Sequence, residues 1–318
     1  MIISKTPLRI SLLGGNTDFP EYYKKYGGVV LTTTIDKYIY CIVSKRFDDQ
    51  IWINYSVKEI VTDVKDIKHN LVREVLKIME VTQGVEITFL SDIPSEGSGL
   101  GSSSAVTIGL LNALSQYTGK QLTNAELASL ACRVEIDILK KPIGVQDQLI
   151  LAYGGLRQLV LGGATQILKL EIPDSTMKDF DDSLMLFYTN KTRKADTILK
   201  DLKLDNKILD KNKQLANQAV TALKVGDINS VGKLLHEYWE LKKKLNSKVT
   251  DEEINIMYKK ARKAGAIGGK IVGAGGGGFL LVMVPTEKQD SVRKALSDYR
   301  ELQFRFDTYG SRIIFNNG

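Results

Sequence analysis

The stretch Pro94-Ser95-Glu96-Gly97-Ser98-Gly99-Leu100-Gly101-Ser102-Ser103-Ser104 alternates glycines with small residues and ends in a run of serines. Apolar residues then recur at positions 106, 110, 113, 114 and 117, which is the spacing of one helix face. The stretch therefore predicts a glycine-rich loop that leads into a helix N-terminus. Free backbone N–H groups and the helix dipole favour an anion at such a place, above all a phosphate.

Two common phosphate-binding patterns do not fit this loop. The pattern G-x-G-x-x-G needs a glycine where Ser102 stands, and G-x-x-x-x-G-K-[ST] needs a lysine that is missing here. A glycine-rich turn with a serine cap is the structural alternative. Taken alone, the loop leaves both interpretations open.

The composition favours a globular protein with two domains. The chain has 318 residues, 43% of them hydrophobic and 25% charged, and a net charge of +7 spread over scattered Lys and Arg. With two cysteines and two histidines, a Cys/His metal site or a Ser-His-Asp triad is disfavoured. The sequence has neither the form of a signal peptide nor a long apolar stretch, so we expect a cytoplasmic protein without membrane contact.

The N-terminal part carries a charge on a strand and an acid in the turn after it. Alternation from Leu8 to Leu13 predicts a strand that places Arg9 opposite its apolar face. A polar turn follows, with Gly15, Asn16 and Asp18. Loops at strand ends commonly meet ligands, although Asp18 also fits a turn or helix-start residue.

Three acidic residues further along the chain are candidates for catalytic or metal-binding roles. Thr123 to Glu126 forms a capping box that starts a helix, and Pro142 ends it. Glu135 and Asp137 fall on opposite flanks of its apolar stripe, so helix geometry does not choose between them. Asp147 follows Gly144 and fits a helix cap equally well.

A change of pattern near Ile172 predicts two domains, 1–172 and 173–318. The second contains helices, strands and the glycine cluster Gly273–Gly278. We expect a strand at 304–309 to close this domain. The cluster 191–194 follows a strand, so its Arg193 is a candidate for binding a substrate phosphate, with a solvated charge cluster as the alternative.

Three stretches in order resemble the motifs of the GHMP kinase superfamily, which includes galactokinases, homoserine kinases and mevalonate kinases. They are residues 6–18, 94–104 and 270–278. The resemblance implies an α+β fold with a ribosomal-protein-like N-terminal domain, a ferredoxin-like C-terminal domain and an active site in the cleft between them. It implies ATP and Mg²⁺ as cofactors. Residues 4–11, 34–38, 93–104, 135–139 and 144–148 further resemble the D-glycero-D-manno-heptose 7-phosphate kinases.

The resemblance also implies roles for individual residues. Asp147 matches the catalytic aspartate and Arg9 its partner, while Ser103 and Glu135 match the magnesium ligands; this chooses Glu135 over Asp137. The nucleotide-binding positions are Gly97, Ser98, Gly99, Leu100, Gly101, Ser102, Ser103 and Ser104. The substrate-binding positions are Gly15, Asn16, Asp18, Gly144, Gly275 and Gly276. Asn16 departs from the glycine that the family pattern has there.

The expected activity is phosphorylation of the anomeric hydroxyl of the heptose 7-phosphate, for surface polysaccharide synthesis. The expected partners are a nucleotide and a small sugar phosphate, without nucleic acid, in a monomer or homodimer. A kinase for free heptose, fucose or galactose is one alternative, and a non-catalytic sugar or nucleotide sensor is another. The basic net charge is also consistent with a third alternative, an RNA-binding protein. However, the sequence lacks the aromatic-plus-basic signatures of RNA binding.

Overall fold

The computed structural model describes residues 1–94, 97–192, 198–199 and 205–317. Within this part, two sheets and their helices pack into a mixed α/β fold. The helices are α1 (Pro20–Tyr26), α2 (Asn70–Ile78), α3 (Ser102–Tyr117), α4 (Asn124–Cys132), α5 (Gln146–Tyr153), α6 (Asp174–Asp182), α7 (Asn206–Lys224), α8 (Ile228–Leu245), α9 (Glu252–Lys263) and α10 (Gln289–Ala295). None of these helices combines the length and apolarity needed to cross a membrane.

The larger sheet has nine strands among the described residues. They are β1 (Ile2–Leu13), β2 (Gly28–Lys45), β3 (Ile51–Asn54), β4 (Lys58–Val61), β5 (Val85–Ser91), β6 (Arg157–Leu161), β7 (Gln166–Lys169), β12 (Phe306–Asp307) and β13 (Arg312–Asn316). Their main order is β13-β1-β2-β5-β3-β4, with β6 and β12 also on β2, and β7 on β6. Strands β3 and β5 run parallel, and the other pairs are antiparallel.

The core of the first unit lies between this sheet and helices α2 to α5. Leu8, Ile10 and Leu12 on β1 are fully buried and pack in this core. Helix α3 crosses β1 and β2, so the loop before α3 lies next to Arg9 on β1. The predicted strand, with its charge opposite an apolar face, is confirmed.

The second unit is a four-stranded antiparallel sheet with helices. Its strands are β8 (Leu184–Tyr188), β9 (Gly268–Ile271), β10 (Phe279–Met283) and β11 (Glu301–Leu302), in the order β11-β8-β10-β9. Trp239 on α8 and Tyr258 on α9 are buried in a separate core beneath it. Helix α8 also contacts β9 and β1 and so connects the two units.

The end of the chain differs from the sequence prediction. The strand expected at 304–309 is short, and β12 pairs with Thr34 and Ile35 of β2 rather than with the second sheet. Strand β13 then pairs along β1. Strand β1 has a free edge that only a distant segment can cover, and local patterns in the sequence do not report such pairing. Residues 306–316 therefore complete the first unit.

Candidate functional site

The predicted loop before α3 leads directly into the helix. Gly101 caps α3 with a left-handed backbone (φ 81°), and Leu100 accepts a hydrogen bond from the Arg9 backbone N–H (2.9 Å). The hydroxyls of Ser98 and Ser102 lie 3.0 Å apart. The first N–H groups of α3 have no partner in their own helix, so they face the space beyond the loop. Of the predicted loop, Ser95 and Glu96 lie outside the described residues.

A cavity of about 650 Å³ opens in front of this loop. One end is lined by both glycine loops together with Arg9 and Asp147. The other end is lined by the rings of Tyr55, His69 and Phe89, where His69 meets Tyr55 edge-on at 4.8 Å and stacks on Phe89 at 6.3 Å. The cavity thus joins a polar end suited to phosphate with an aromatic end suited to a flat ring.

Arg9 and Asp147 form a bidentate ion pair at the polar end. Arg9 Nε reaches Asp147 Oδ1 and Arg9 Nη2 reaches Oδ2, both at 2.6 Å. Arg9 Nη1 donates to the Gly99 carbonyl at 2.6 Å. Gln146 donates to Asp147 Oδ1 (3.1 Å) and is itself held by Ser11 (2.8 Å). Asp147 therefore has a fixed orientation, while a quarter of its side chain (24%) stays exposed.

Glu135 lies behind the same loop and is completely buried. It sits in a one-turn π-helix, Arg133–Ile138, where the Leu139 N–H bonds to the Val134 carbonyl five residues earlier. Burial raises the pKa of Glu135, and the nearby Lys141 charge and a hydrogen bond from Ser104 (3.0 Å) act against that rise. Asp137 is exposed, so the structure places Glu135 rather than Asp137 at the loop.

The turn after β1 places a second carboxyl beside the first. Asp18 is buried, and its Oδ2 accepts the Gln146 N–H at 3.2 Å. Burial and the Asp147 charge raise its pKa to about 6. A Cβ at Gly144 would lie 2.0 Å from Asp18 Oδ2, so only glycine fits there. Asn16 has φ 71°, a conformation that asparagine tolerates better than most residues, which explains why it can replace a glycine.

The second glycine cluster packs backbone to backbone on the first. A Cβ at Gly273 would lie 2.7 Å from Gly99, and one at Gly278 would lie 2.4 Å from the Ser98 carbonyl. Lys242, buried on α8, donates to the Gly273 carbonyl at 2.5 Å. Burial and the Arg9 charge lower the pKa of Lys242 to about 7.

Comparisons with known proteins agree with this arrangement. Residues 68–155 match the model of the GHMP kinases N terminal domain, and residues 219–301 match that of the GHMP kinases C terminal. A D-glycero-alpha-D-manno-heptose 7-phosphate kinase of Campylobacter jejuni is 32% identical over 93% of both chains. The chain belongs to the GHMP kinase superfamily. It is an ATP-dependent phosphotransferase that acts on an alcohol group.

Other relatives of this GHMP kinase act on different alcohols. A galactokinase of Pyrococcus furiosus is 28% identical over 93% of this chain and 92% of its own. The crystal structure of a D-glycero-D-manno-heptose 1-phosphate kinase from Bacteroides thetaiotaomicron superposes over the full length of both chains, with a TM-score of 0.84 and 26% identity. The expected two-domain GHMP kinase fold is therefore confirmed.

Ser103 and Glu135 fit a magnesium ion by their chemistry. Glu135 Oε1 is buried and has no hydrogen-bond partner among the described residues, so it is open to a cation. The exposed Ser103 hydroxyl lines the cavity in front of it. Oxygen ligands of this kind suit Mg²⁺, which usually takes only one or two from the protein and the rest from phosphate and water.

The predicted substrate residues of the second unit differ in their surroundings in this GHMP kinase. Gly275 lines the cavity, whereas Gly276 donates its N–H to the Val249 carbonyl (2.7 Å), which uses the donor that a ligand would need. Arg193 lies outside the described residues. Lys191, in the same basic cluster, is paired with Asp251 and Glu253, both at 2.6 Å.

Sequence reasoning missed three residues of the site. Lys141 bonds to Ser103 (2.7 Å), Lys242 holds the second glycine loop, and Tyr238 lies against Gly15. Lys141 and Lys242 stand in lysine-rich stretches that are typical of a solvated surface. The sequence held one weak signal that Lys242 is buried. It falls on the apolar stripe of α8 with Leu235, Tyr238 and Trp239.

Proposed function

We propose that this GHMP kinase transfers the γ-phosphoryl group of ATP to the anomeric hydroxyl of D-glycero-D-manno-heptose 7-phosphate. The product would be the 1,7-bisphosphate, a precursor of nucleotide-activated heptose for surface polysaccharides. The observation that carries the chemistry is the bidentate Arg9–Asp147 pair at the mouth of two glycine loops. The similarity to the Campylobacter jejuni heptose 7-phosphate kinase, at 32% identity, supports the choice of sugar.

Asp147 acts as the base in this proposal. Its carboxylate accepts the proton of the sugar hydroxyl as the hydroxyl oxygen bonds to the γ-phosphorus and the bond to the β,γ-bridging oxygen breaks. An anomeric hydroxyl is more acidic than an ordinary alcohol, so a carboxylate is a sufficient base. Arg9 holds Asp147 in a fixed orientation, and its charge offsets the negative charge that develops nearby.

The nucleotide lies along the cavity, with its phosphates on the loop Gly97–Ser104 and its base at the aromatic end near His69. Ser103 and Glu135 would hold the magnesium ion, which would supply neutralisation of the phosphate charge. The N–H groups at the start of α3 and the loop around Gly275 approach the phosphates from the two units.

The sugar lies between Asp147 and the turn Gly15–Asp18. Asp18 is a hydrogen-bond partner for sugar hydroxyls, because it lies beside the base and Gly144 leaves room for it. Arg193 is our candidate for binding the phosphate that the substrate already carries.

A kinase for an unphosphorylated sugar is the second candidate, and the similarity to the Pyrococcus furiosus galactokinase over 93% of the chain favours it. The two heptose kinases among the relatives also differ in the phosphate position in their names. An ADP-release assay with ATP and Mg²⁺ separates these cases. The panel contains heptose 7-phosphate, heptose 1-phosphate, free heptose, mannose 6-phosphate, galactose, fucose and mevalonate.

Turnover with heptose 7-phosphate alone is the expected result. Turnover with a free sugar and not with the phosphate would replace our proposal by the second candidate. If ATP binds but no member of the panel is phosphorylated, the heptose assignment is wrong.

A further inference from the structure

Lys141 occupies a special position among the cations of this site. Its ammonium lies 2.7 Å from the Ser103 hydroxyl and 3.7 Å from Glu135 Oε2. These are the two side chains to which we assign the magnesium ion. A positive charge of the protein itself therefore stands between the two proposed metal ligands.

The backbone fixes this lysine in place. The Lys141 N–H donates to the Glu135 carbonyl at 3.0 Å, and the Lys141 carbonyl accepts the Ile143 N–H at 2.9 Å. Lys140 before it has a left-handed backbone, with φ 52°, which closes the turn after the π-helix. Only 14% of the Lys141 side chain is exposed. This hydrogen-bonded turn thus directs the ammonium into the cavity rather than towards solvent.

Electrostatics explain why a cation is needed here. Glu135 is fully buried, and a buried carboxylate is costly unless a charge or several hydrogen bonds compensate it. Arg9 is already committed to Asp147 and to the Gly99 carbonyl. Lys141 is the cation that an ion-pair distance joins to Glu135.

We propose that Lys141 is the resident cation of the phosphate site. In the metal-free enzyme its ammonium holds Ser103 and Glu135 together and binds the nucleotide phosphates in place of magnesium. When the magnesium–nucleotide complex binds, the ammonium gives up this position to the metal. The inference rests on the proposed assignment of the metal to Ser103 and Glu135. It makes Lys141 a phosphate-binding residue whose contribution depends on whether magnesium is present.

The test compares nucleotide binding with and without the metal. The dissociation constant of AMP-PNP is measured by calorimetry in Mg²⁺ and in EDTA, for the wild type and for Lys141→Met. A charged hydrogen bond to phosphate corresponds to about tenfold or more in affinity. We expect Lys141→Met to weaken binding in EDTA by about that factor and binding in Mg²⁺ by less than about threefold. The ratio of the dissociation constant in EDTA to that in Mg²⁺ then rises by more than about threefold.

Lys140→Met is the control, since it removes the same charge from the neighbouring exposed position and should leave the ratio unchanged. Lys141→Gln keeps a donor for Ser103 if the methionine variant folds poorly, and it should show the same raised ratio. Lys141→Arg keeps the charge and should restore the wild-type ratio.

Equal weakening in both conditions would overturn the inference, because Lys141 would then bind phosphate beside the metal rather than in its place. An AMP-PNP dissociation constant in EDTA that Lys141→Met leaves unchanged would overturn it as well. Failure of the proposed function is a separate result, since a wrong sugar shows in the ADP-release panel and leaves the AMP-PNP dissociation constants of the wild type and Lys141→Met as expected here.

Discussion

Arg9 meets Asp147 through two hydrogen bonds of 2.6 Å, and the remaining nitrogen of the same guanidinium holds the Gly99 carbonyl at 2.6 Å. One side chain thus orients the proposed base and fixes the phosphate loop. Because Arg9 is on β1, which is paired on both sides by β13 and β2, and is only 5% exposed, this geometry is set by the core of the first unit. Base and loop are therefore positioned together.

Asp147→Asn tests the assignment of the base. The amide keeps the size of the side chain but cannot take the proton of the sugar hydroxyl. We expect turnover to fall by about 10²–10⁴-fold, the usual contribution of a general base, while the nucleotide dissociation constant stays close to that of the wild type. ADP release and calorimetry measure the two quantities. Normal turnover in this variant would show that Asp147 is not the base.

Arg9→Lys tests the bidentate geometry. Lysine keeps the charge, but one ammonium cannot replace a planar fork that serves Asp147 and Gly99 at once. We expect turnover to fall by about tenfold or more. Arg46→Lys is a control, because Arg46 makes the same two-bond contact with Asp48 (2.8 and 2.7 Å) outside the cavity. Equal loss in both variants would mean that the exchange harms the fold rather than the site.

Asp18→Asn tests the buried carboxyl through the pH dependence of stability. The folded pKa of Asp18, about 6, lies above its ordinary value of 3.8, so the folded state binds the proton more tightly than the unfolded state. The ionised form therefore destabilises the fold above pH 6, by up to about 3 kcal/mol, and this cost is relieved as the pH falls from 6 towards 4.

Urea unfolding at pH 4.5 and pH 7.5 measures this effect in Asp18→Asn. We expect the variant to be more stable than the wild type at the higher pH and the difference to shrink at the lower pH. The same variant should lose affinity for the sugar. A difference that does not change with pH would show that Asp18 does not titrate in this range.

The parts of the site that could be predicted from the sequence are those encoded locally. The loop before α3 and the capping box at Thr123 and Glu126 depend on neighbouring residues, and both are present in the structure. The choice of Glu135 over Asp137 was not available from helix periodicity, because the two residues flank one apolar stripe, and no local pattern in the sequence reports the π-turn that contains both. The contact of Lys141 with Ser103 and the return of β13 to β1 join segments far apart in the sequence, which no local pattern reports.

Lys242→Met tests the buried lysine behind the second glycine loop. The folded pKa of Lys242 is lowered to about 7, so the unfolded state binds the proton more tightly. Wild-type stability should therefore rise between pH 7 and the ordinary lysine pKa of 10.5. The variant should show a smaller rise and a weaker nucleotide affinity, because the Gly273 carbonyl loses its donor. Lys244→Met, on the exposed side of the same helix, is the control, and an identical pH profile in both variants would contradict the assignment.

Gly99→Ala tests the contact between the two glycine loops. Gly99 has φ 75°, and a Cβ there would lie 2.6 Å from the Val272 carbonyl. Gly119 has nearly the same backbone, φ 70°, but a Cβ there would meet nothing within 4 Å. Gly119→Ala thus reports the backbone strain alone, about 1 kcal/mol in the free energy of unfolding.

Gly99→Ala carries the same strain and in addition pushes the loops of the two units apart. We expect it to destabilise the protein by more than Gly119→Ala does and to weaken nucleotide binding by about tenfold, since the phosphates need N–H groups from both loops at once. Gly119→Ala should bind the nucleotide as the wild type does. If both variants bind it equally well, the close packing of Gly99 on the strand end at Val272 is not what shapes the phosphate site.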